Sequence, residues 1–288
     1  MNQQFLTELK AVTAENRIFT DEPMKKHTTF RVGGPADILV QPKGTELAAV
    51  IRLCRKYDVP YQVIGNGSNL LVGDRGIRGL VIEMLSKEDE ICVEDDCITV
   101  GAGMLLSKTA NRAAEHGLTG MEFAAGIPGS IGGAVVMNAG AYGGEMKDIL
   151  TAVTVLDQEG NEKILSAEEL ELGYRTSCIL KKGYIVTGAK IKLKHGEETA
   201  IRARMEELKK QRVEKQPLEY PSAGSTFKRP EGYFAGKLIM DAGLRGYLVG
   251  EAQVSEKHCG FVINRGNATA ADVRTLMQNV ADIVEEKF

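Results

Sequence analysis

Four short segments carry residue types whose spacing could do chemistry. The first is Gly65-Asn66-Gly67-Ser68-Asn69, two glycines and three small polar residues directly after the strand-like run Tyr61-Gln62-Val63-Ile64. A strand ending this way lets several backbone N–H groups converge on an anion; the same residues also make a plain tight turn. The pattern is neither the G-x-G-x-x-G that opens a dinucleotide-binding helix nor a P-loop. The second segment, Gly126-Ile127-Pro128-Gly129-Ser130-Ile131-Gly132-Gly133-Ala134, continues through Asn138-Ala139-Gly140-Ala141-Tyr142-Gly143-Gly144. It is too apolar for a surface linker and too rich in glycine for an ordinary helix. Backbone stripped of side chains suits close contact with a large flat cofactor and its diphosphate, or else tight packing between domains. Two such segments in one chain favour a dinucleotide.

The third segment is Leu172-Gly173-Tyr174-Arg175-Thr176-Ser177. An arginine can grip a carboxylate through two parallel hydrogen bonds, although Arg175 alone equally suits a surface cation. The fourth runs from Gln216 through Pro217 and Pro221-Ser222-Ala223-Gly224-Ser225-Thr226-Phe227-Lys228-Arg229-Pro230. Its prolines and glycine predict a loop of fixed shape, with Ser225 at its centre and two cations just after it. Ser225 is either a hydroxyl that bonds back to its own turn or a proton donor. No G-x-S-x-G elbow surrounds it, which argues against a hydrolase nucleophile. The four histidines have no metal-ligand spacing, so no metal is expected.

The elements that must position these segments alternate. Ala36–Val40, Tyr61–Ile64 and Leu80–Glu83 have strand composition, and Thr45–Tyr57 carries a helical stripe of Leu47, Val50, Ile51 and Cys54. Ile91–Val93 and Cys97–Val100 flank an acidic turn as a hairpin, and Val153–Leu156 turns at Gln158–Asn161 as another. A helix from about Leu105 ends at His116 before Gly117. Tyr184–Lys194 predicts a long strand, and Glu197–Lys215 a charged, solvated helix. A last helix begins near Thr269, with Asp272 completing a capping box.

Composition sets the limits. The 288 residues predict two or three domains. A net charge of −3 gives no global field for nucleic acid or anionic lipid, so an anionic ligand must be met by local cations. No apolar run reaches the roughly 18 residues of a membrane span, and Met1–Lys10 has no signal-peptide pattern. The five cysteines, in no redox or metal spacing, suggest free thiols in a reducing cytoplasm.

In their order and spacing these segments resemble the UDP-N-acetylenolpyruvoylglucosamine reductases of peptidoglycan synthesis. The resemblance begins at His27-Thr28-Thr29-Phe30-Arg31-Val32-Gly33-Gly34-Pro35-Ala36, passes through both glycine segments, Gly173-Tyr174-Arg175 and the Ser225 segment, and ends at Ser255-Glu256-Lys257-His258-Cys259-Gly260-Phe261-Val262-Ile263-Asn264-Arg265-Gly266. It implies an α+β fold: an FAD-binding domain of the vanillyl-alcohol-oxidase (PCMH) type made of two α+β subdomains, residues 1–85 and 86–198, and a smaller α+β substrate domain, residues 199–288. The short last domain resembles the family form without a substrate-capping insertion. Non-covalent FAD is expected against Gly65, Asn66, Gly67, Ser68, Asn69, Ser130, Gly133 and Gly140, with Arg212 helping to hold it.

The implied reaction is the NADPH-dependent, FAD-mediated reduction of UDP-N-acetylglucosamine enolpyruvate to UDP-N-acetylmuramate by a cytoplasmic monomer. Arg175 and Ser225 fall on catalytic positions, the cation stabilising the developing enolate and the hydroxyl protonating carbon. Tyr174, Lys228 and Arg229 fall where the UDP-sugar binds; some relatives have asparagine in place of Arg229. The family also uses a glutamate in a strand after the last helix. This chain stops at Glu285-Glu286-Lys287-Phe288 with that helix still in register, so the resemblance predicts a truncated sequence without that glutamate. Two other readings stand beside it: an FAD-linked oxidase of the same fold, and a nucleotide-binding module without catalysis.

Overall fold

The structure, a computed structural model, describes residues 3–85 and 91–288. The expected boundary at 85/86 abuts residues 86–90, which lie outside the described residues. The chain gathers into two compact units. The first comprises Met1–Thr20, Ile38–Asn66 and Gly79–Lys210; the second comprises Asp21–Asp37, Gly67–Arg78 and Gln211–Phe288.

The chain opens with α1 (Gln3–Val12), β1 (Ile18–Pro23), β2 (Pro35–Val40), α2 (Glu46–Lys56), β3 (Tyr61–Ile64) and β4 (Ile77–Glu83). The strands form a sheet in the order β1-β2-β4-β3, with β3 parallel to β4 and Tyr61 opposite Leu80. The stripe read on α2 is its buried face: Leu47, Val50, Ile51 and Cys54 pack with Phe5 and Leu9 of α1 and with Ile38, Val40, Leu80 and Ile82 of the sheet. Burial pushes the Cys54 thiol up to about 12, which makes it an inert core residue. All five cysteines are free.

A separate core follows within the same unit. It is built from β5 (Ile91–Glu94), β6 (Cys97–Gly101), α3 (Leu106–Glu115), β7 (Leu118–Thr119), α4 (Ile131–Val136), β8 (Gly140–Ala141), β9 (Gly144–Glu145), β10 (Leu150–Leu156), β11 (Glu162–Ser166), α5 (Cys178–Lys182), β12 (Ile185–Lys192) and β13 (Lys194–His195). Five of the strands make an antiparallel sheet in the order β11-β10-β12-β6-β5, while β7 pairs with β13 and β8 with β9. Ile98, Val100, Val153, Val155, Ala189 and Ile191 of this sheet pack against Leu106, Ala110 and Ala113 of α3 and Ile131, Ala134 and Val135 of α4. Both expected hairpins form, and α3 stops where Gly117 takes φ +62°. The charged helix α6 (Glu198–Lys215) buries only Ile201 and Leu208.

The second unit contains β14 (Ser222–Ser225), α7 (Ala235–Asp241), β15 (Leu248–Val249), β16 (Ala252–Val254), β17 (Phe261–Asn264) and α8 (Ala270–Lys287). Its sheet runs β14-β17-β16-β15. Val273, Leu276 and Val280 of α8 join Phe30, Val32, Val254 and Val262 in one core. The capping box between Thr269 and Asp272 forms as expected. A cap from elsewhere in the sequence adds to it: the Asp74 carboxylate accepts the N–H groups of Ala270 and Ala271 at 2.7 and 2.9 Å. Two carboxylates thus meet the positive end of one long helix.

The β10–β11 turn generates a pH-dependent prediction. One Asp157 oxygen accepts the N–H groups of Asn161 and Glu159 at 2.9 and 3.0 Å, and the other faces Lys163 Nζ at 3.1 Å. These contacts, the Asn161 N–H first, hold the carboxyl down to about 2, against an ordinary value of 3.8. A depressed carboxyl stabilises the fold above its ordinary value and loses that contribution as pH falls through the folded one. Asp157→Asn therefore melts below the parent at about pH 7, and the gap closes between about pH 4 and about pH 2 in thermal scans.

Candidate active site

Gly65 and Asn66 of the first glycine segment meet the second within the first unit. Gly65 closes β3, and a Cβ there would lie 1.9 Å from the Ser130 hydroxyl. Asn66 Nδ2 donates to the Pro128 carbonyl at 2.6 Å, tying the segments together. The middle of the second run, read as too glycine-rich for a helix, does form one. Ile131, Ala134 and Val135 bury one face of α4, and Gly132 lets the backbone lie on Ala102, where a Cβ would sit 3.0 Å from that side chain. Packing thus outweighs intrinsic propensity over these six residues.

Not every N–H at this helix start is open. Those of Ile131 and Gly132 are taken by the carbonyls of Met104 and Ala102, each at 2.8 Å. The Gly133 N–H has no partner among the described residues, and Gly133 is exposed. Ser130 is 3% exposed, and its hydroxyl likewise has no hydrogen-bond partner among the described residues. Uncharged donors without side-chain bulk fit the diphosphate and flat ring of a dinucleotide cofactor. Gly140 differs: a Cβ there would come 2.6 Å from that of Glu145 and 2.7 Å from the Gly144 carbonyl, so its own hairpin requires the glycine.

Arg175 sits on a tight turn. Gly173 and Thr176 exchange N–H···O bonds of 3.1 and 3.3 Å, and Arg175 between them takes φ +55°. Left-handed backbone costs a residue with a Cβ roughly 1–2 kcal/mol, and such conformations gather at functional sites. Its guanidinium donates through Nη2 to the Gly140 carbonyl at 3.1 Å and lies 5.5 Å from the centre of the Tyr174 ring, which is 58% exposed. The remaining N–H groups have no partner among the described residues and are available to a carboxylate.

The second unit carries the other residues singled out. Gly67 takes φ +58°, with the His27 carbonyl 1.9 Å from where a Cβ would be; Ser68 and Asn69 follow it. Arg212 is half-buried on α6. The Ser225 segment, expected as a loop, is an edge strand of the sheet: Ser222 pairs with Ile263 and Ser225 with Phe261. Three steps along β14 face two along β17, and Gly224 at φ +80° absorbs the extra residue. This is a glycine bulge, a device that re-aims the neighbouring side chain. Sequence reasoning missed it because strand pairing is decided by the distant β17, although glycine before a serine after a proline was a visible signal. The Ser225 side chain is exposed, and its hydroxyl has no partner among the described residues. Lys228 and Arg229 are exposed beyond it, the latter with its guanidinium 4.6 Å from the Phe234 ring centre. Two residues absent from the expected set lie beside the Arg175 turn in the first unit: Asn138 and Glu145 are hydrogen-bonded to each other at 2.7 Å, and Asn138 also donates to the Gly173 carbonyl at 3.1 Å.

Comparison with known proteins matches two stretches of the chain. Residues 36–166 match the model described as "FAD binding domain", and residues 216–288 match "UDP-N-acetylenolpyruvoylglucosamine reductase, C-terminal domain". A 4-ethylphenol oxidase from Gulosibacter chungangensis, 15% identical, superposes with a TM-score of 0.51 over 67% of this chain and 42% of that one, which shows a shared fold. The fold and the matched domain together define an α+β protein with an FAD-binding domain. The UDP-N-acetylenolpyruvoylglucosamine reductase of Agathobacter rectalis is 56% identical over 300 residues, covering 100% of this chain and 96% of its own. The structure of the Thermus caldophilus UDP-N-acetylenolpyruvylglucosamine reductase is 42% identical, with a TM-score of 0.80 over 90% of this chain and 93% of that one. The chain belongs to the UDP-N-acetylenolpyruvoylglucosamine reductase family.

The two glycines that flank Asn66 separate in a stability measurement. At Gly67 an added Cβ meets backbone and a positive φ at once; Gly67→Ala is expected to lower unfolding free energy by roughly 2–4 kcal/mol. At Gly65 it meets chiefly a serine hydroxyl that can rotate, so Gly65→Ala is expected to cost less than about 1 kcal/mol. Denaturant titration of both variants checks the order; equal losses would contradict it.

Proposed function

We propose that this protein carries out the NADPH-dependent, FAD-mediated reduction of UDP-N-acetylglucosamine enolpyruvate to UDP-N-acetylmuramate, with Ser225 as proton donor. The reading of its activity rests on membership of the family. The observation that carries the role of Ser225 is its exposed, unengaged hydroxyl on the Gly224 bulge. When bound, FAD supplies the redox chemistry, and the protein supplies geometry and field. Gly65, Asn66, Gly67, Ser68, Asn69, Ser130, Gly133 and Gly140 are the backbone and small polar groups for FAD, with Arg212 as a cation for the flavin.

Reduction at the terminal carbon of the enolpyruvyl group leaves negative charge on the neighbouring carbon and its carboxylate. The Arg175 guanidinium, with one N–H engaged by Gly140 and others open, stabilises that charge as it develops. Ser225 then gives its proton to carbon as general acid. A serine hydroxyl is a weak acid in water, so cations must stabilise its alkoxide. Lys228 and Arg229 follow it by three and four residues, and with Tyr174 they also recognise the UDP-sugar. Both NADPH and a nucleotide sugar belong to the cytoplasm, where we place this protein, acting as a monomer.

The half-reactions separate these roles. Ser225→Ala is expected to leave NADPH reduction of the flavin intact and to slow flavin reoxidation by the enolpyruvyl substrate at least ~10²-fold. Stopped-flow flavin absorbance reads both, and equal loss in the two would overturn the assignment.

A further inference from the structure

The chain leaves α4 through a buried amide that holds the turn bearing Arg175. Asn138 is 1% exposed and takes φ +41°, a left-handed conformation that asparagine tolerates. Its Nδ2 donates to Glu145 Oε2 at 2.7 Å and to the Gly173 carbonyl at 3.1 Å, and its Oδ1 accepts the Lys147 N–H at 2.9 Å. Gly173 is the residue whose N–H and C=O close the turn around Tyr174 and Arg175. Two positions after Asn138, the Gly140 carbonyl takes the Arg175 guanidinium; two positions before it, the Val136 carbonyl accepts the Ser177 hydroxyl at 2.8 Å. One short stretch, 136–140, thus grips 173, 175 and 177 through alternate residues.

The energetics give Asn138 a task beyond packing. Arg175 holds a strained φ that no glycine relieves, and a turn closed by two backbone bonds can relax to a less strained form unless something outside it is fixed to it. Gly173 receives that external bond from Asn138, and the amide has no freedom to turn away because both its oxygen and its NH₂ are engaged. We propose that Asn138 is a positioning residue for the reduction: it fixes the Gly173–Thr176 turn so that the Arg175 guanidinium faces the developing enolate. This rests on the role given to Arg175 above.

The test is a double-mutant cycle on the FAD-loaded full chain, with NADPH reduction and reoxidation by UDP-N-acetylglucosamine enolpyruvate timed separately. Asn138→Gly removes the amide while keeping backbone that accepts φ +41°; Asn138→Asp, a second variant, retains the acceptor for Lys147 and loses both donors. Each is expected to slow reoxidation by about 10- to 100-fold, the scale of a misplaced catalytic group, and to change flavin reduction by less than about twofold. In an Arg175→Ala background the same substitutions are expected to add no further slowing, because the group they aim is gone. Multiplicative losses in the double mutants, or equal slowing of both half-reactions, would overturn the proposal and show Asn138 to be structural only. If Arg175→Ala itself leaves reoxidation unchanged, the role of Arg175 falls, and the proposal falls with it for that distinguishable reason.

Discussion

Beyond Val136 the backbone of the first unit turns into the left-handed region, and the buried amide at that point serves two segments that are distant in sequence. Without side chains on much of the glycine run, the backbone has little to pack with except its own polar groups. Buried N–H and C=O groups must be paired, so the run is held by hydrogen bonds at defined atoms: Ile131 and Gly132 on the carbonyls of Met104 and Ala102, Asn138 on Gly173, Gly140 on Arg175. The Ser130 hydroxyl and the Gly133 N–H are among the donors left without a partner among the described residues. The glycines therefore do two different jobs, some making room for the chain itself and others leaving surface bare.

The second unit solves its positioning problem with strand pairing. Its candidate proton donor lies on an edge strand whose register is set by β17, and the one-residue excess at Gly224 turns the serine. Behind it, α8 closes the core with Val273, Leu276 and Val280 and starts on a capping box reinforced by Asp74. A short segment between β3 and β4 thus contributes a helix cap nearly two hundred residues away in the chain. Rigid support of this kind suits a hydroxyl whose usefulness depends on its direction.

Much of this was legible in the residues. The helical stripe of α2, the hairpins at Asp95 and Gly160, the stop of α3 at Gly117 and the start of α8 at Thr269 all follow from periodicity and turn chemistry, which are local properties. The concentration of glycine marked both stretches proposed for FAD, and the order of the motifs marked the family. Less was legible where distant partners decide. The run 131–136 became helical because an apolar face was available to Ile131, Ala134 and Val135. The Ser225 segment became a strand because β17 was there to pair with it.

By itself, then, the sequence determined which residues could do chemistry and most elements that carry them, because backbone preference and hydrophobic period are written within a few positions. Only the tertiary structure decided what each group is bonded to. The partners of Asn138, Arg175 and Asp74 lie 35, 35 and 196 residues away, and no local rule specifies which carbonyl or N–H will be within reach. Asn138 shows the difference most clearly: within the sequence it is one polar residue among glycines, and in the fold its amide joins the end of α4 to the turn that carries Arg175.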